Sequence, residues 1–209
     1  MNIDLVLFDL DDVLVDYDHD VRCRTLGDRI GRDANTVQRA LFGSGLEFEA
    51  DLGRIDANGV ALALSDSMDV QVTLDDCVAA RAASMRARPD LHPIVETLAR
   101  RCGLAILTNN GLLVRDHFPS LCPTLAPYFS GRVHCSAMYG IGKPEPEIFL
   151  RCAEALGVAP GGILFIDDKA ENALGAERAG MLAHHYRDPA TLLAFLTQLD
   201  LPERHVHAH

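Results

Sequence analysis

A chain of 209 residues, 48% hydrophobic and 23% charged, has the size and balance of one soluble α/β domain with an insertion, or of two small domains. Its formal net charge of −11, from 19 basic and 30 acidic side chains, argues against nucleic acid and anionic membranes as partners, although a site can still be locally positive. No apolar run reaches the length that spans a bilayer, and the start of the chain carries no basic or signal-like segment, so a cytoplasmic protein is expected.

The first element is an apolar strand, Leu5-Val6-Leu7-Phe8, that ends in Asp9, Asp11 and Asp12. From about residue 15 to residue 88 the pattern is helical throughout. Asp33 opens one helix, Gly43-Ser44-Gly45 breaks it, Asp56 caps another, and Thr73 caps a third. After Pro89 strands and helices alternate. A helix carries Leu91, Ile94, Val95 and Leu98, and a strand runs from Leu104 to Asn109. A helix then starts near Leu112, with a short strand near Val133 to Ser136. The next helix begins at Pro144 or Pro146 and stops at Gly157. A second apolar strand, Ile163 to Phe165 and Ile166, ends in Asp167 and Asp168. A helix over 170–179, a strand from Met181 to Tyr186 and a helix from Pro189 to Leu199 complete the chain.

Such alternation predicts a doubly wound parallel sheet, Rossmann-like, with helices on both faces. The helical block then reads as an inserted cap over the carboxyl end of the sheet. The expected division is a core of 1–15 and 89–209 and a cap of 16–88. The six cysteines show neither a CxxC pair nor zinc spacing and fall mostly in apolar segments, as buried thiols of a reducing compartment would. Three alternating histidines, His205, His207 and His209, read as a frayed tail rather than a metal site.

Three strands of this reading end in chemically useful residues. The first delivers Asp9 and Asp11, the second Thr108 and Asn109, and the third Asp167 and Asp168. Lys143 sits on a Gly/Pro-bounded loop, Gly140-Ile141-Gly142-Lys143-Pro144, just before a helix. Alone, each element has an ordinary explanation as a turn, a cap or a surface lysine. Together, carboxylates on adjacent strand ends would repel unless a cation lay among them, and hard oxygen ligands favour Mg2+. A hydroxyl, an amide and an ammonium beside that cation suit a phosphoryl group.

The stretches Phe8-Asp9-Leu10-Asp11-Asp12-Val13-Leu14, Leu107-Thr108-Asn109-Asn110, Gly142-Lys143-Pro144 and Phe165-Ile166-Asp167-Asp168 resemble, in order, the four motifs of the haloacid dehalogenase (HAD)-like hydrolases. The resemblance implies roles. Asp9 would be the nucleophile that forms an aspartyl-phosphate. Asp11 would be the acid/base, with its backbone carbonyl at the Mg2+. Thr108, Asn109 and Lys143 would bind the phosphoryl group. Asp9, Asp11, Asp167 and Asp168 would form the metal site. For Asp11 to protonate a leaving oxygen, its surroundings are expected to raise its pKa. Asp12 departs from the pattern, because members often have glycine or asparagine there.

Asp11 also separates this chain from the dehalogenase branch, which typically lacks an acid at that place. The expected activity is therefore Mg2+-dependent hydrolysis of a small phosphomonoester. A weaker resemblance of Leu41 to Ile55, and of Ala87-Arg88-Pro89-Asp90, to the cap of sugar-1-phosphate phosphatase-like members suggests a sugar phosphate. The alternatives are a sugar-phosphate mutase and a catalytically silent ligand-binding protein of the same fold. A mutase would need cap residues for a bisphosphate, but surface charge accounts for most of Arg39, Arg54, Arg81, Arg86 and Arg88. The expected partner is a small phosphorylated metabolite, with monomer and homodimer both open. Hinges are expected near Val15-Asp16 and Arg88-Pro89-Asp90, and specificity from side chains between Gly43 and Glu49.

Overall fold

The computed structural model describes residues 3–199, so the histidine tail lies outside the described residues. Strand β1 (Leu5–Phe8) leads through a tight turn to β2 (Val15–Tyr17). Five α-helices follow, α1 (His19–Ile30), α2 (Ala34–Gln38), α3 (Leu46–Asp51), α4 (Ala57–Met68) and α5 (Leu74–Ala83), with a π-helical turn, Arg39–Gly43, between α2 and α3. Strand β3 (Met85–Ala87) returns the chain, and α6 (His92–Ala99), β4 (Gly103–Thr108), α7 (Leu112–Leu121), α8 (Ala126–Phe129) and β5 (Val133–Cys135) follow. The remainder is α9 (Pro146–Leu156), β6 (Ile163–Asp167), α10 (Ala170–Arg178), β7 (Leu182–His185) and α11 (Pro189–Gln198).

The main sheet has the order β5-β4-β1-β6-β7, and every pairing in it is parallel. Residues along β1 alternate between two cores, as the period of a strand requires. Val6 and Phe8 join Ile94, Phe118, Phe129 and Leu192 on one face, under α6, α7, α8 and α11. Leu5 and Leu7 join Ile148, Phe149 and Ala176 on the other, under α9 and α10. Both faces are covered, so the central strands β1, β4 and β6 are apolar at nearly every position. The chain builds outward from β1 to β4 and β5, then crosses to β6 and β7. The carboxyl ends of β1, β4 and β6 therefore meet at the switch in direction, where open α/β sheets bind ligands.

The helices from α1 to α5 enclose a third apolar cluster built on Leu26, Val37, Leu41, Leu64 and Ala80. Their start signals are local: Asp18, Asp33 and Asp56 each accept a backbone N–H at an N-cap. Thr73 and Asp76 form a reciprocal capping box at α5. The segment 15–88 is not wholly helical, however. β2 and β3 pair antiparallel, Val15 opposite Ala87 and Tyr17 opposite Met85, and Arg88 Nε adds a 2.7 Å bond to Asp16. Three-residue strands with partners some seventy positions away carry no periodicity that a local reading can detect. As a result, the two chain crossings, where hinges are expected, lie side by side as one ribbon.

The helical block meets the sheet at close quarters. A Cβ on Gly53 would lie 2.2 Å from Ala137 O, and Ser136 Oγ donates to Asp51 O at 2.6 Å. Gly175 in α10 is similarly constrained, because a Cβ there would lie 2.2 Å from Pro144 O, next to Lys143. Gly175→Ala should therefore push α10 off the lysine loop. It is expected to cost about 1–3 kcal/mol in urea denaturation and to lower turnover as Lys143 shifts. Unchanged stability together with an unchanged rate would show that this contact does not place the lysine.

Candidate active site

Asp9 leaves the end of β1 with its side chain buried. Its Oδ1 accepts from the Leu10 N–H at 2.7 Å and lies 2.8 Å from Lys143 Nζ. The same ammonium donates to Asp167 Oδ2 at 2.7 Å. Lys143 thus bridges two strand ends with its side chain 1% exposed. Its loop is held by Asn109, whose Nδ2 donates to Lys143 O and whose Oδ1 accepts from Lys143 N, both at 2.9 Å. Asp167 is fixed further by the Lys169 N–H at 2.8 Å and by Asn172 Nδ2 at 3.0 Å from each oxygen.

Burial alone would lower the lysine's pKa, but Asp9 and Asp167 outweigh it and hold the pKa above its usual value. Asp9 is pushed up to about 7, chiefly by burial. Lys143 opposes that rise, while Asp167 and Asp11 add to it. Asp168 is raised as well, by burial and then by Asp167, with Lys169 acting against and Asp12 in favour.

Asp9, Asp167 and Asp168 each offer an oxygen, and these atoms lie within 4.8 Å of one another. Asp168 Oδ1 is buried and has no hydrogen-bond partner. Oxygen donors, mutual repulsion and an unfilled acceptor are together what a hard divalent cation would satisfy. The residues fit Mg2+.

Asp11 is turned elsewhere. Its two oxygens accept from Arg81 Nη2 at 2.8 and 2.6 Å, and Oδ2 also accepts from Asn110 Nδ2 at 2.9 Å. Burial would raise this carboxyl, but the Arg81 guanidinium and the hydrogen bonds from Asn110 and Arg81 outweigh it, so the pKa lies below the ordinary value. This reverses the sequence-based expectation of a raised pKa. The side chain also lies outside the group of three carboxylates, which leaves only the backbone carbonyl for the metal role implied for Asp11. Thr108 is buried, and its Oγ1 accepts from Asn110 Nδ2 at 2.7 Å.

Two residues of this site escaped the sequence reading. Arg81, counted there among surface charges, is 1% exposed and lies 4.0 Å over the Tyr17 ring. Arg39, Arg54 and Arg86 do face solvent, as expected. The signal available for Arg81 was its place in α5 between Ala80 and Ala82, in a segment of small residues that pack closely. Asn110 looked like part of a turn, yet it ties Thr108, Asp11 and Arg81 together. Of the segment Gly43 to Glu49, Glu47 reaches the seam between block and sheet and pairs with buried Arg22, whereas Phe48 is exposed. Asp12 is exposed too, with a left-handed φ of 62° and a 3.5 Å contact from the Tyr17 N–H. That φ is the reason glycine or asparagine suits this position.

A family model described as haloacid dehalogenase-like hydrolase matches residues 3–180. Phosphatase MT3486 of Mycobacterium tuberculosis (strain CDC 1551 / Oshkosh) is 34% identical over 206 residues, covering 88% of this chain and 87% of the relative. The chain therefore belongs to the haloacid dehalogenase-like hydrolases. Among solved structures, a HAD-like family hydrolase from Porphyromonas gingivalis superposes with a TM-score of 0.75 at 24% identity, covering 95% of this chain and 98% of that one. The HAD family enzyme bt-2542 from Bacteroides thetaiotaomicron, in complex with magnesium and inorganic phosphate, superposes at 0.70 with 22% identity, covering 91% and 99%. Both share the fold. All six cysteines are buried, and no helix among the described residues is long and apolar enough to cross a membrane.

Beside the site, Asp51 is pushed up to about 8 by burial and by Glu47, against Arg22, Arg81 and the Gly111 backbone. A carboxyl whose folded pKa is raised favours the folded state at low pH and loses that contribution as pH climbs through the folded value. Relative to Asp51→Asn, the natural protein should lose about 1 kcal/mol of stability per pH unit between about pH 4 and about pH 8. Parallel urea-denaturation curves for the two proteins across that range would show instead that Asp51 ionises freely in the folded state.

Proposed function

We propose that the chain is a Mg2+-dependent phosphatase of small phosphomonoesters, sugar phosphates among them, acting through an aspartyl-phosphate on Asp9. The observation that carries this reading is the ammonium of Lys143 held between Asp9 and Asp167, beside a group of three carboxylates. A phosphate dianion resists attack by a carboxylate, and Lys143 offsets that repulsion at the attacking oxygen. Asp9, Asp167 and Asp168 would hold the metal, which when bound supplies charge neutralisation at the phosphoryl oxygens.

Asp9 attacks phosphorus and the P–O bond to the leaving group breaks; Asp11, an ionised carboxylate while Arg81 holds it, takes up a proton from solvent once that pairing is broken and delivers it to the departing oxygen. Asp11 then takes a proton from water, which attacks phosphorus and frees Asp9. Thr108 offers a hydroxyl to the transferring group, and the Asn109 side chain keeps Lys143 in place. A leaving group that approaches Asp11 competes with Arg81, so entry requires the helical block to move.

Residues 16–88 serve as the cap over a core of 1–15 and 89–209, and the β2–β3 ribbon carries the motion. The named phosphatase relative and the magnesium- and phosphate-bound structural neighbour support the phosphatase reading. The net charge of −11 argues against nucleic acid or an anionic membrane as the partner, which leaves a small phosphorylated metabolite.

The protein with Mg2+ should hydrolyse para-nitrophenyl phosphate and members of a sugar-phosphate panel. Asp9→Asn should reduce kcat by about 10³-fold or more, and EDTA should abolish turnover until Mg2+ is restored. An Asp9→Asn protein that keeps its rate would remove the proposed nucleophile.

A further inference from the structure

The seam between the helical block and the sheet holds charged groups that the proposed chemistry leaves unused. A cavity of about 30 Å3 lies there, lined in part by Arg22, Glu47, Arg81, Asn110 and Gly111. It adjoins the side from which a leaving group would meet Asp11, since both Arg81 and Asn110 touch that carboxylate. Arg22 is already answered: it pairs with Glu47 and donates to Tyr17 Oη at 3.0 Å.

Arg81 is not. Its hydrogen bonds all leave from Nη2, toward Asp11 and Asn110, and its Nε–H is buried with no acceptor. A guanidinium offers donors in a planar fork, and an unsatisfied buried donor is costly unless a partner arrives. Asp51 Oδ1 is a second buried polar atom without a partner, on a residue whose carboxyl feels both Arg22 and Arg81. Since burial keeps that carboxyl protonated near neutrality, it adds no repulsive charge there.

We propose that Arg81 is a specificity-determining residue that receives a carboxylate on the leaving group, so that the preferred substrates are phosphomonoesters of small hydroxy acids. This rests on the phosphatase reading above. Two observations favour a carboxylate over a second phosphate. Arg81 already seats a planar carboxylate, that of Asp11. Glu47 cancels Arg22 and Asp11 cancels Arg81, so once Asp11 carries the proton it is to deliver, Arg81 is the one uncompensated charge of the seam, which matches a monoanion.

Steady-state kinetics with Mg2+ on matched pairs tests this: 3-phosphoglycerate against glycerol 3-phosphate, and 6-phosphogluconate against glucose 6-phosphate. Para-nitrophenyl phosphate reports the phosphatase reading by itself. In the three-carbon pair the natural protein should show a kcat/KM at least about tenfold higher for the acid, the factor expected of a buried charge-assisted contact. R81Q should reduce that preference to within about threefold, and Arg81→Lys should keep part of it.

Independently of turnover, glycerate should raise the melting temperature of the natural protein more than glycerol does, and R81Q should erase the difference. If R81Q gives no melting transition, Arg81→Lys and the glycerate shift of the natural protein decide. Equal kcat/KM across the pairs, with para-nitrophenyl phosphate still hydrolysed, would overturn the proposal, leave Arg81 as a latch on Asp11, and spare the phosphatase reading. No hydrolysis of any ester would overturn both.

Discussion

The bridge from Lys143 to Asp9 and Asp167 is the contact on which the rest of this structure depends. A buried ammonium is costly unless carboxylates surround it, and buried carboxylates are costly unless a cation faces them. Here each satisfies the other, at 2.8 and 2.7 Å. The bridge joins the ends of β1 and β6 to a loop that neither strand contains. Secondary contacts then keep it rigid: Asn109 grips the main chain of Lys143, Asn172 grips Asp167, and Gly175 lets α10 approach Pro144. One lysine cannot cancel the whole acidic group; burial first, and the neighbouring carboxylates after it, raise Asp9 and Asp168. A divalent cation is the complement such a group calls for.

A second charged junction, Arg81 with Asp11, spans the helical block and the sheet. It differs from the first in kind. The lysine bridge sits within the core and holds strand ends that do not need to move. The arginine crosses a boundary whose two chain connections run together as the β2–β3 ribbon. Asp11 is paired across that boundary, whereas Asp9 is paired within the core. That division matches the proposed roles, in which Asp9 is the nucleophile and Asp11 the proton-transfer group.

Most of the architecture was legible in the residues because its signals are local. Apolar runs ending in acids marked β1 and β6, Asp56 and Thr73 marked the starts of α4 and α5, and Gly157 marked the end of α9. The ribbon escaped because its strands are three residues long and each is defined only by the other. Asn110 and Arg81 escaped for a related reason. An asparagine in a turn and an arginine on a helix read the same whether they face solvent or a carboxylate, and the difference lies in contacts 99 and 70 residues away.

By itself, then, the sequence determined the parallel α/β class, the helical insertion and the identity of the residues gathered at the strand ends, because strand alternation, capping and motif order are properties of short segments. The tertiary structure decided how those residues divide. It placed Asp9, Asp167 and Asp168 around one point, turned Asp11 toward Arg81, and lowered a pKa that the motif alone suggests should rise. Charge acts through space rather than along the chain, so the protonation and pairing of these carboxylates followed from which elements packed together.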